Sequence, residues 1–397
     1  MLIEILIFLL LGIAAGTFTG LIPGVHINLV GVSLVALSAS LFSSLNSIYL
    51  VTFISSMAIT HTFLDFIPSI FLGCPDTDTE LSVLPGHELL KLGKGYEAVL
   101  LTIYGSLAAI FVLVLIAFPS ILILKNIYGT LQKVIPYILI LVTLFLIYVE
   151  KNRLKAVVVI TLTGVLGFII LNLNSLNEPL LPMLTGLFGT SMLLISIKNK
   201  VKIPKQEISK PEIDKSFLSP LLGATIAAPF SSLLPGLGSG QAAVIGNSIS
   251  KTGKRGFLFL LGATNTLVMG FSFIAFYAVL RTRTGAVVAI QEIIGPLSKE
   301  MLIIILFVIV ASGIISFFWA ISITKFFSKR IENINYSRLS IMTISLIAIL
   351  VFLFSGALGI IVLAISTFTG IYCVSLGVRR TNMMGCLLIP TIILYLF

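Results

Sequence analysis

The sequence predicts an all-α, polytopic membrane protein. Of its 397 residues, 58% are hydrophobic and only 10% are charged, whereas an ordinary soluble domain is about one-quarter charged. Residues 5–64, 216–250, 256–280, 301–324 and 339–378 contain no Asp, Glu, Lys or Arg. A helix needs about 20 apolar residues to cross the hydrocarbon core, and these runs lack the alternation of barrel strands. We therefore expect a multi-pass protein of the cell membrane.

The formal charge of +10 does not indicate a nucleic-acid partner. The basic residues lie between the apolar runs, where Lys and Arg usually set orientation and contact anionic membrane lipids. Cys74, Cys373 and Cys386 are too few for a disulfide framework or a zinc site. The sequence has no Walker loop, HExxH, GxSxG or Cys/His cluster, so we predict a protein that is not an enzyme and has no cofactor.

Composition divides the chain into two membrane regions, residues 1–197 and 216–397, joined by a polar linker at 198–215. The linker, KNKVKIPKQEISKPEIDK, has six lysines, three acidic residues and no apolar periodicity. Its lysines predict a cytoplasmic position. The apolar segments expected around it are 2–20, 26–41, 46–71, 98–124, 134–149, 156–174 and 179–197, then 216–249 with a central break, 256–280, 286–297, 301–324, 339–355, 357–378 and 382–397. The amphipathic stretch 80–94 is expected at the membrane interface.

The two regions share sequence features in the same order. LIPGVHIN (21–28) corresponds to LLPGLGSG (233–240), and Thr60-His61-Thr62 corresponds to Thr264-Asn265-Thr266. Duplicated units with paired, broken hydrophobic segments are typical of secondary transporters that bind their substrate near the bilayer midplane. We predict an inverted duplication. A parallel one stays open, because both 151–153 and 329–330 are basic.

The paired Pro-Gly sequences are the first candidate substrate site. Proline lacks an N–H and glycine tolerates unusual backbone angles, so each pair ends a helix inside the membrane. The helix that follows then offers its N-terminal N–H groups to an anion. The candidate substrate-binding residues here are Pro23, Gly24, His26 and Asn28, and Pro235, Gly236, Gly238, Ser239, Gly240 and Gln241. The alternative is a pair of packed helix kinks without a ligand.

His61 and Asp65 are candidate ion-coupling residues. They lie four positions apart, and so on one face of a helix. An ionisable residue inside a membrane span is costly and points to a functional site. His61 could shuttle protons, and Asp65 could bind Na⁺ or H⁺. The alternatives are a structural hydrogen bond between helices for His61 and a water-exposed position for Asp65.

Two short polar segments of opposite charge occupy matching places in the two regions. Asp76 and Asp78 alternate with Thr77 and Thr79, and Arg281 and Arg283 alternate with Thr282 and Thr284. In one interpretation the aspartates and arginines form a salt-bridge clamp. In another, the arginines bind an anionic substrate while Asp76 and Asp78 hold the coupling cation. Thr77, Thr79, Thr282 and Asn265 are assigned to the substrate in this interpretation. A third places both segments in water.

These motifs resemble those of a known family. GTFTGLIPGVHINLVG (16–31), SIFLGCPDTDTELSVLPGHELLKLGKGYEAVL (69–100), GLFG (186–189) and LLPGLGSGQAAVIGN (233–247) are similar to the large membrane subunit of tripartite tricarboxylate transporters, the TctA family, in an archaeal-type form. The resemblance implies ion-driven uptake of organic acids such as citrate. It also implies two partners, a small membrane subunit and an extracytoplasmic binding protein. The paired Pro-Gly loops resemble, more faintly, translocases of polyprenyl phosphates.

We therefore predict an ion-coupled permease, a symporter that carries a di- or tricarboxylate with Na⁺ or H⁺. The alternative is a flippase that moves a polyprenyl-phosphate lipid carrier across the bilayer. A membrane scaffold without transport is a third class. The predicted partners are the small anion or the lipid phosphate, the surrounding lipids and the two subunits of the tripartite system, and the sequence leaves a homo-oligomer open.

Overall fold

The computed structural model describes residues 2–22, 46–72, 79–176, 178–198, 204–234, 238–331 and 336–396. Within these ranges every regular element is a helix, which confirms the predicted all-α class. The helices are α1 (Leu2–Leu21), α2 (Ser47–Leu64), α3 (Phe66–Leu72), α4 (Val83–Lys91), α5 (Gly95–Tyr148), α6 (Arg153–Leu171), α7 (Leu180–Leu184), α8 (Ser191–Lys198), α9 (Leu218–Leu233), α10 (Ser239–Ser250), α11 (Lys254–Val279), α12 (Gly285–Ile294), α13 (Lys299–Arg330), α14 (Tyr336–Ser375) and α15 (Gly385–Leu396). Helix α14 is two helices that meet at a kink, where Gly356 adopts a positive φ of 66° between the predicted segments 339–355 and 357–378. A π turn joins α7 to α8.

Eight helical segments of the described chain are long and apolar enough to cross a membrane. Two of them, α2 continued by α3 and the later α11, are 94% buried by the rest of the protein. The outer segments α1, α5 and α14 bury only about one-third of their apolar windows and present the remainder to lipid. The candidate residues of α2 and α11 therefore lie at the centre of the bundle.

The structure differs from the predicted spans in two places. Residues 98–124 and 134–149 belong to one helix, α5, which continues through Pro119 and Pro136. The polar stretch 125–133 between them predicts a loop, but its residue types are compatible with helix. The segment predicted at 286–297 forms the ten-residue helix α12, which ends where Gly295 adopts a positive φ of 67°. Ten residues are too few to cross the bilayer.

Helices α1 and α2 lie side by side and run in the same direction. Gly12 lies against Ser56, whereas Gly20, two turns later, lies against His61 and Leu64. A Cβ atom at Gly12 would approach the Ser56 hydroxyl to 1.9 Å. The small residues that the sequence places in α1 therefore permit the close contact expected of them.

Helices α9 and α11 pair in the same way in the second half. The Phe217 ring, which immediately precedes α9, packs 5.1 Å from the Phe259 ring near the start of α11. At the other end of α9, the Ser232 hydroxyl donates to the Val268 carbonyl at 3.1 Å. These two contacts show that α9 and α11 are parallel.

Helices α9 and α10 run antiparallel and form a hairpin. The Ser219 hydroxyl donates to the Ser250 carbonyl at 3.2 Å, so the two outer ends meet. Further in, Gly223 and Gly246 face each other, with no room for a Cβ atom on either. The inner end of α9 contacts Val268, about halfway along the 26 residues of α11. The inner end of α9, next to the predicted break at Pro235-Gly236, therefore lies level with the middle of α11.

The longest close contact between the two halves is the packing of α5 along α11. A Cβ atom at Gly262 would lie 2.1 Å from the Thr102 carbonyl, and one at Gly105 would lie 2.1 Å from the Phe259 carbonyl. The Ser106 hydroxyl also donates to the Gly262 carbonyl at 3.1 Å. We refer to this region, residues 102–106 with 259–263, as the glycine crossing.

Helix α13 runs parallel to α1. Leu9 and Ile13 pack in one cluster with Val308. Further along both helices, the Trp319 indole donates to the Thr17 hydroxyl at 3.1 Å. Since α1 is also parallel to α2, these three helices share one direction.

Helix α5 runs in the opposite direction to α13. The Tyr104 ring lies 5.4 Å from the Phe317 ring, and later in α5 the Ile110 side chain fills the space beside Gly313. Leu113 similarly lies against Gly270 of α11, so α5, α11 and α9 share this second direction. Helices α1 and α2 thus run opposite to their predicted counterparts α9 and α11, and α5 runs opposite to α13. An inverted duplication requires these directions, and the duplication itself stays a prediction.

The linker end of the molecule is fixed by hydrogen bonds and ion pairs. Gln206, which is 6% exposed, accepts a hydrogen bond from the Gly95 amide at 2.8 Å. Beside it, Arg255 at the start of α11 pairs with the buried Glu97 carboxylate at 2.7 Å, and Lys254 pairs with Glu88. The C-terminal half of α4 and the starts of α5 and α11 therefore lie together. The boundaries of the two halves, at 1–197 and 216–397, stay a prediction.

Candidate functional site

Asp65 lies where α2 ends and α3 begins, inside the bundle. Its side chain is 2% exposed, so the alternative of a water-exposed carboxylate does not describe this structure. Its Oδ2 atom accepts a hydrogen bond from the Asn265 amide of α11 at 2.7 Å. The two residues are 200 positions apart and were both candidates from the sequence. Their contact joins the central helices of the two halves.

His61 lies one turn before Asp65 in α2. Its Nδ1 atom is 3.0 Å from the Thr19 hydroxyl of α1, and its Nε2 atom is 3.9 Å from Asp65 Oδ2. The imidazole thus lies between a hydroxyl and a carboxylate, which is an arrangement that can take up and release a proton. The structural hydrogen bond considered as the alternative role for His61 is also present, to Thr19.

Three threonines and a serine extend this polar region between helices. Thr62 of α2 and Thr266 of α11, which occupy matching places in the two halves, hydrogen-bond at 3.0 Å. On the other side of α2, Thr60 hydrogen-bonds to Ser316 of α13 at 2.8 Å. All four side chains are buried. Buried polar groups need such partners, because an unpaired one costs free energy in an apolar environment.

Arg281 and Arg283 follow α11 and are half-buried. Arg283 Nη1 donates to the Ser231 hydroxyl at 3.2 Å, and Ser231 lies in α9 close to the turn of the hairpin. Arg281 Nη2 donates to the Tyr395 hydroxyl of α15 at 3.4 Å. Arg283 therefore places a positive charge beside the hairpin, and Arg281 is directed to the C-terminal helix.

Each polar segment is also held by a serine–threonine pair. Thr79, which is fully buried, lies 2.6 Å from the Ser69 hydroxyl of α3. The corresponding pair in the second half is Thr284 with Ser272 of α11, at 3.1 Å. Thr282, between the two arginines, is half-buried.

The first turn of α10 is buried at the inner end of the hairpin. Ser239, Gly240 and Gln241 are all buried, and their predicted role in ligand binding stays a prediction. The Gln241 carboxamide oxygen accepts a hydrogen bond from the Gly238 amide at 2.7 Å. Gln241 thus caps the helix whose N-terminus it belongs to.

Several candidates lie outside the described residues: Pro23, Gly24, His26, Asn28, Asp76, Thr77, Asp78, Pro235 and Gly236. The proposed pairing of Asp76 and Asp78 with Arg281 and Arg283 therefore stays a prediction. No group of three or more His, Cys, Asp or Glu residues is positioned to hold a metal ion within the part of the chain that the structure describes.

Thr19 and Ser231 were missed by the sequence analysis. Each lies four residues before the proline of a Pro-Gly pair, and each contacts a candidate residue, Thr19 with His61 and Ser231 with Arg283. Their equal distance from the two prolines is the signal that could have identified them.

His87 of α4 lies outside the predicted spans, and its pKa is strongly shifted. Burial, followed by the nearby charges of Arg380 and Lys91, lowers the pKa of His87 from 6.5 to about 4. His87 is therefore neutral at physiological pH.

Comparison with known proteins identifies the family. The model described as "Tripartite tricarboxylate transporter TctA family" matches residues 6–385, nearly the whole chain. The chain belongs to the TctA family. An uncharacterized protein of Methanocaldococcus jannaschii is 31% identical to it, over 98% of this chain and 99% of the relative. No solved structure matches the chain. The protein is thus a multi-pass membrane protein of a transporter family, as the eight apolar helices also indicate.

Proposed function

We propose that this TctA-family protein is an ion-coupled secondary transporter for a small organic anion, a di- or tricarboxylate. The observation that carries the proposal is the buried contact between Asp65 and Asn265. It places an ionisable group from one half of the chain against a polar group from the other, at the centre of a membrane bundle. Such intramembrane groups mark ion and substrate pathways.

The coupling ion is assigned to the region around Asp65. A carboxylate, an imidazole and several hydroxyls provide either a proton acceptor or oxygen ligands for Na⁺. Asp65 is hydrogen-bonded to Asn265 of α11. Binding of a cation at Asp65 therefore changes the charge at a contact between the two halves. Occupancy of the ion site is in this way linked to the arrangement of the two central helices.

The substrate is assigned to the region around the α9–α10 hairpin. The positive charge of Arg283 lies beside α9, where its guanidinium donates a hydrogen bond to Ser231. The N-terminal turn of α10 carries the partial positive charge of the helix dipole. Both groups attract a carboxylate. The family supports the same substrate class, and it also supports a small membrane subunit and an extracytoplasmic binding protein as partners.

The opposite directions of the paired helices support alternating access. A bundle whose equivalent helices run oppositely can open to either side of the membrane by related movements. In this proposal Asp65 and the hairpin remain at mid-depth while access to them changes.

Binding and uptake by the purified protein test the proposal. We expect Arg283→Gln to weaken [¹⁴C]citrate binding at least tenfold, because it removes the charge beside the hairpin. In proteoliposomes, Asp65→Asn should abolish the stimulation of citrate uptake by an imposed Na⁺ or pH gradient. Arg153→Gln is the matched control, since Arg153 is exposed and lies over the Tyr148 ring at the end of α5.

Wild-type protein that neither binds nor transports citrate, succinate or malate would exclude the carboxylate proposal. Specific binding of a polyprenyl phosphate in the same experiment would instead support the lipid-carrier flippase. Equal citrate binding by wild type and Arg283→Gln would remove Arg283 from the site.

A further inference from the structure

Two buried glutamines differ in how their carboxamides are used. Gln206 of the linker uses both ends: its oxygen accepts from the Gly95 amide, and its Nε2 donates to the carbonyls of Leu90 at 3.1 Å and Pro204 at 2.6 Å. Gln241 of α10 uses only its oxygen, which accepts from Gly238. Its Nε2 atom is buried and makes no hydrogen bond to the described part of the protein. A structural role accounts for every hydrogen-bonding group of the Gln206 carboxamide, but it does not account for the buried Nε2 donor of Gln241.

The position of Gln241 makes this difference informative. The residue is 0% exposed and lies where the membrane hairpin turns. A buried donor without an acceptor costs free energy that folding does not recover. Since the Gly238 amide holds Oε1 in place, the same carboxamide fixes Nε2 beside the first turn of α10. The donor is therefore pre-organised before any ligand arrives.

The surrounding groups select the charge of a ligand. The first-turn N–H groups of α10, including those of Gly240 and Gln241, have no acceptor within the helix. They carry the positive end of the dipole of a 12-residue helix. The carboxamide oxygen of this turn, Gln241 Oε1, already accepts a hydrogen bond from Gly238. Among the described groups of the turn, N–H donors outnumber acceptors, of which the Ser239 hydroxyl is one. Such a turn suits an oxyanion better than a cation.

We propose that Gln241 Nε2 and the first-turn amides of α10 bind one oxyanion group of the transported molecule, a carboxylate or a phosphate. The inference rests on the proposed function and deepens it, since it names the group that orients the substrate inside the hairpin. Arg283, which is hydrogen-bonded to Ser231, provides positive charge near the substrate. Gln241 fixes the orientation of the oxyanion group. A protonated carboxylic acid should bind this turn more weakly than a carboxylate, because the helix dipole and the N–H donors favour negative charge.

The test replaces a single atom. Gln241→Glu keeps an oxygen for the Gly238 amide but exchanges the donor for a negatively charged acceptor. We expect it to weaken binding of [¹⁴C]citrate to the full-length purified protein at least tenfold. Gln241→Met, which keeps the volume and lacks the donor, is the second variant and should also bind at least tenfold more weakly. Melting temperatures of both variants verify that they are folded.

Gln206→Glu is the matched control. It places the same charge change at the other buried glutamine, where the two carbonyl acceptors would repel it. It should lower the melting temperature without changing the citrate dissociation constant of the folded protein. A short-chain polyprenyl phosphate in detergent micelles is the second probe.

The outcomes separate the two proposals. Citrate binding by wild type that both Gln241 variants lose supports the oxyanion site, whereas equal binding by all three overturns it and leaves the proposed function intact. If wild type binds the polyprenyl phosphate and not citrate, and the variants lose it, the oxyanion site stands and the carboxylate proposal fails. Wild-type protein that binds neither probe overturns both.

Discussion

Asp65 and Asn265 are separated by 200 positions, yet they share a hydrogen bond of 2.7 Å. Their sequence contexts identify both as candidates, because a polar residue in an apolar span is costly. Their pairing could not be predicted. Every residue of α2 from Ile54 to Leu64 is buried, so no apolar face shows how the helix is rotated. The same limitation hid the roles of Thr19 and Ser231.

His87 gives a prediction for the dependence of stability on pH. The unfolded protein binds a proton at this residue near pH 6.5, whereas the folded protein does so only near pH 4. The unfolded state therefore binds more protons between these values, and stability falls as the pH decreases from 6.5 to 4. At 1.36 kcal/mol for each pKa unit, the loss reaches about 3 kcal/mol.

Thermal unfolding of the detergent-solubilised protein between pH 7.5 and 4 measures this effect. His87→Gln removes the titrating group and should flatten the curve over that interval. A variant that loses stability as steeply as wild type would assign the acid sensitivity to other residues.

At the scale of elements, apolar runs located the membrane helices well and their ends less well. The breaks after α1 and α9 follow from Pro-Gly pairs, whose backbone chemistry is local. That 98–124 and 134–149 form one helix, α5, could not be predicted from its prolines. Prolines inside a membrane helix are tolerated when neighbouring groups satisfy the backbone. Apolar content alone also fails to show that α12 packs against the bundle without crossing.

The glycine crossing predicts a sharp contrast between two glycines. Gly262→Ala places a methyl group 2.1 Å from the Thr102 carbonyl, which forces α5 and α11 apart. Overpacking of this kind costs about 1–3 kcal/mol. Gly129→Ala, within α5, meets nothing within 4 Å and should gain about 0.5–1 kcal/mol from helix propensity.

Melting temperatures of the two single variants measure this contrast. Equal melting temperatures would show that the crossing adjusts without cost. A larger loss for Gly129→Ala would contradict the assignment of α5 as one continuous helix.

At the scale of the whole molecule, the directions of the helices predict which ends share a side of the membrane. The linker contacts the start of α5 through Gln206, and α13 runs opposite to α5. Cysteines introduced by Lys210→Cys and Lys299→Cys, both at exposed positions, should therefore lie on opposite sides. With a cytoplasmic linker, a membrane-impermeant maleimide should label only Lys299→Cys in intact cells.

The three native cysteines are first replaced, and permeabilised cells provide the control in which both positions react. Labelling of both positions in intact cells, or of neither, would contradict the opposite directions of α5 and α13. Labelling of Lys210→Cys alone would keep those directions and place the linker outside.

The glycine crossing also determines which parts of the protein can move as one body. Helix α5 comes from the first half of the sequence and α11 from the second, and their backbones are in direct contact. Neither half can slide along the other there without separating these backbones. In the proposed transport cycle, α5 and α11 therefore move together, and the body that contains them combines helices from both halves. The linker at 198–215 would then not coincide with the boundary of that body.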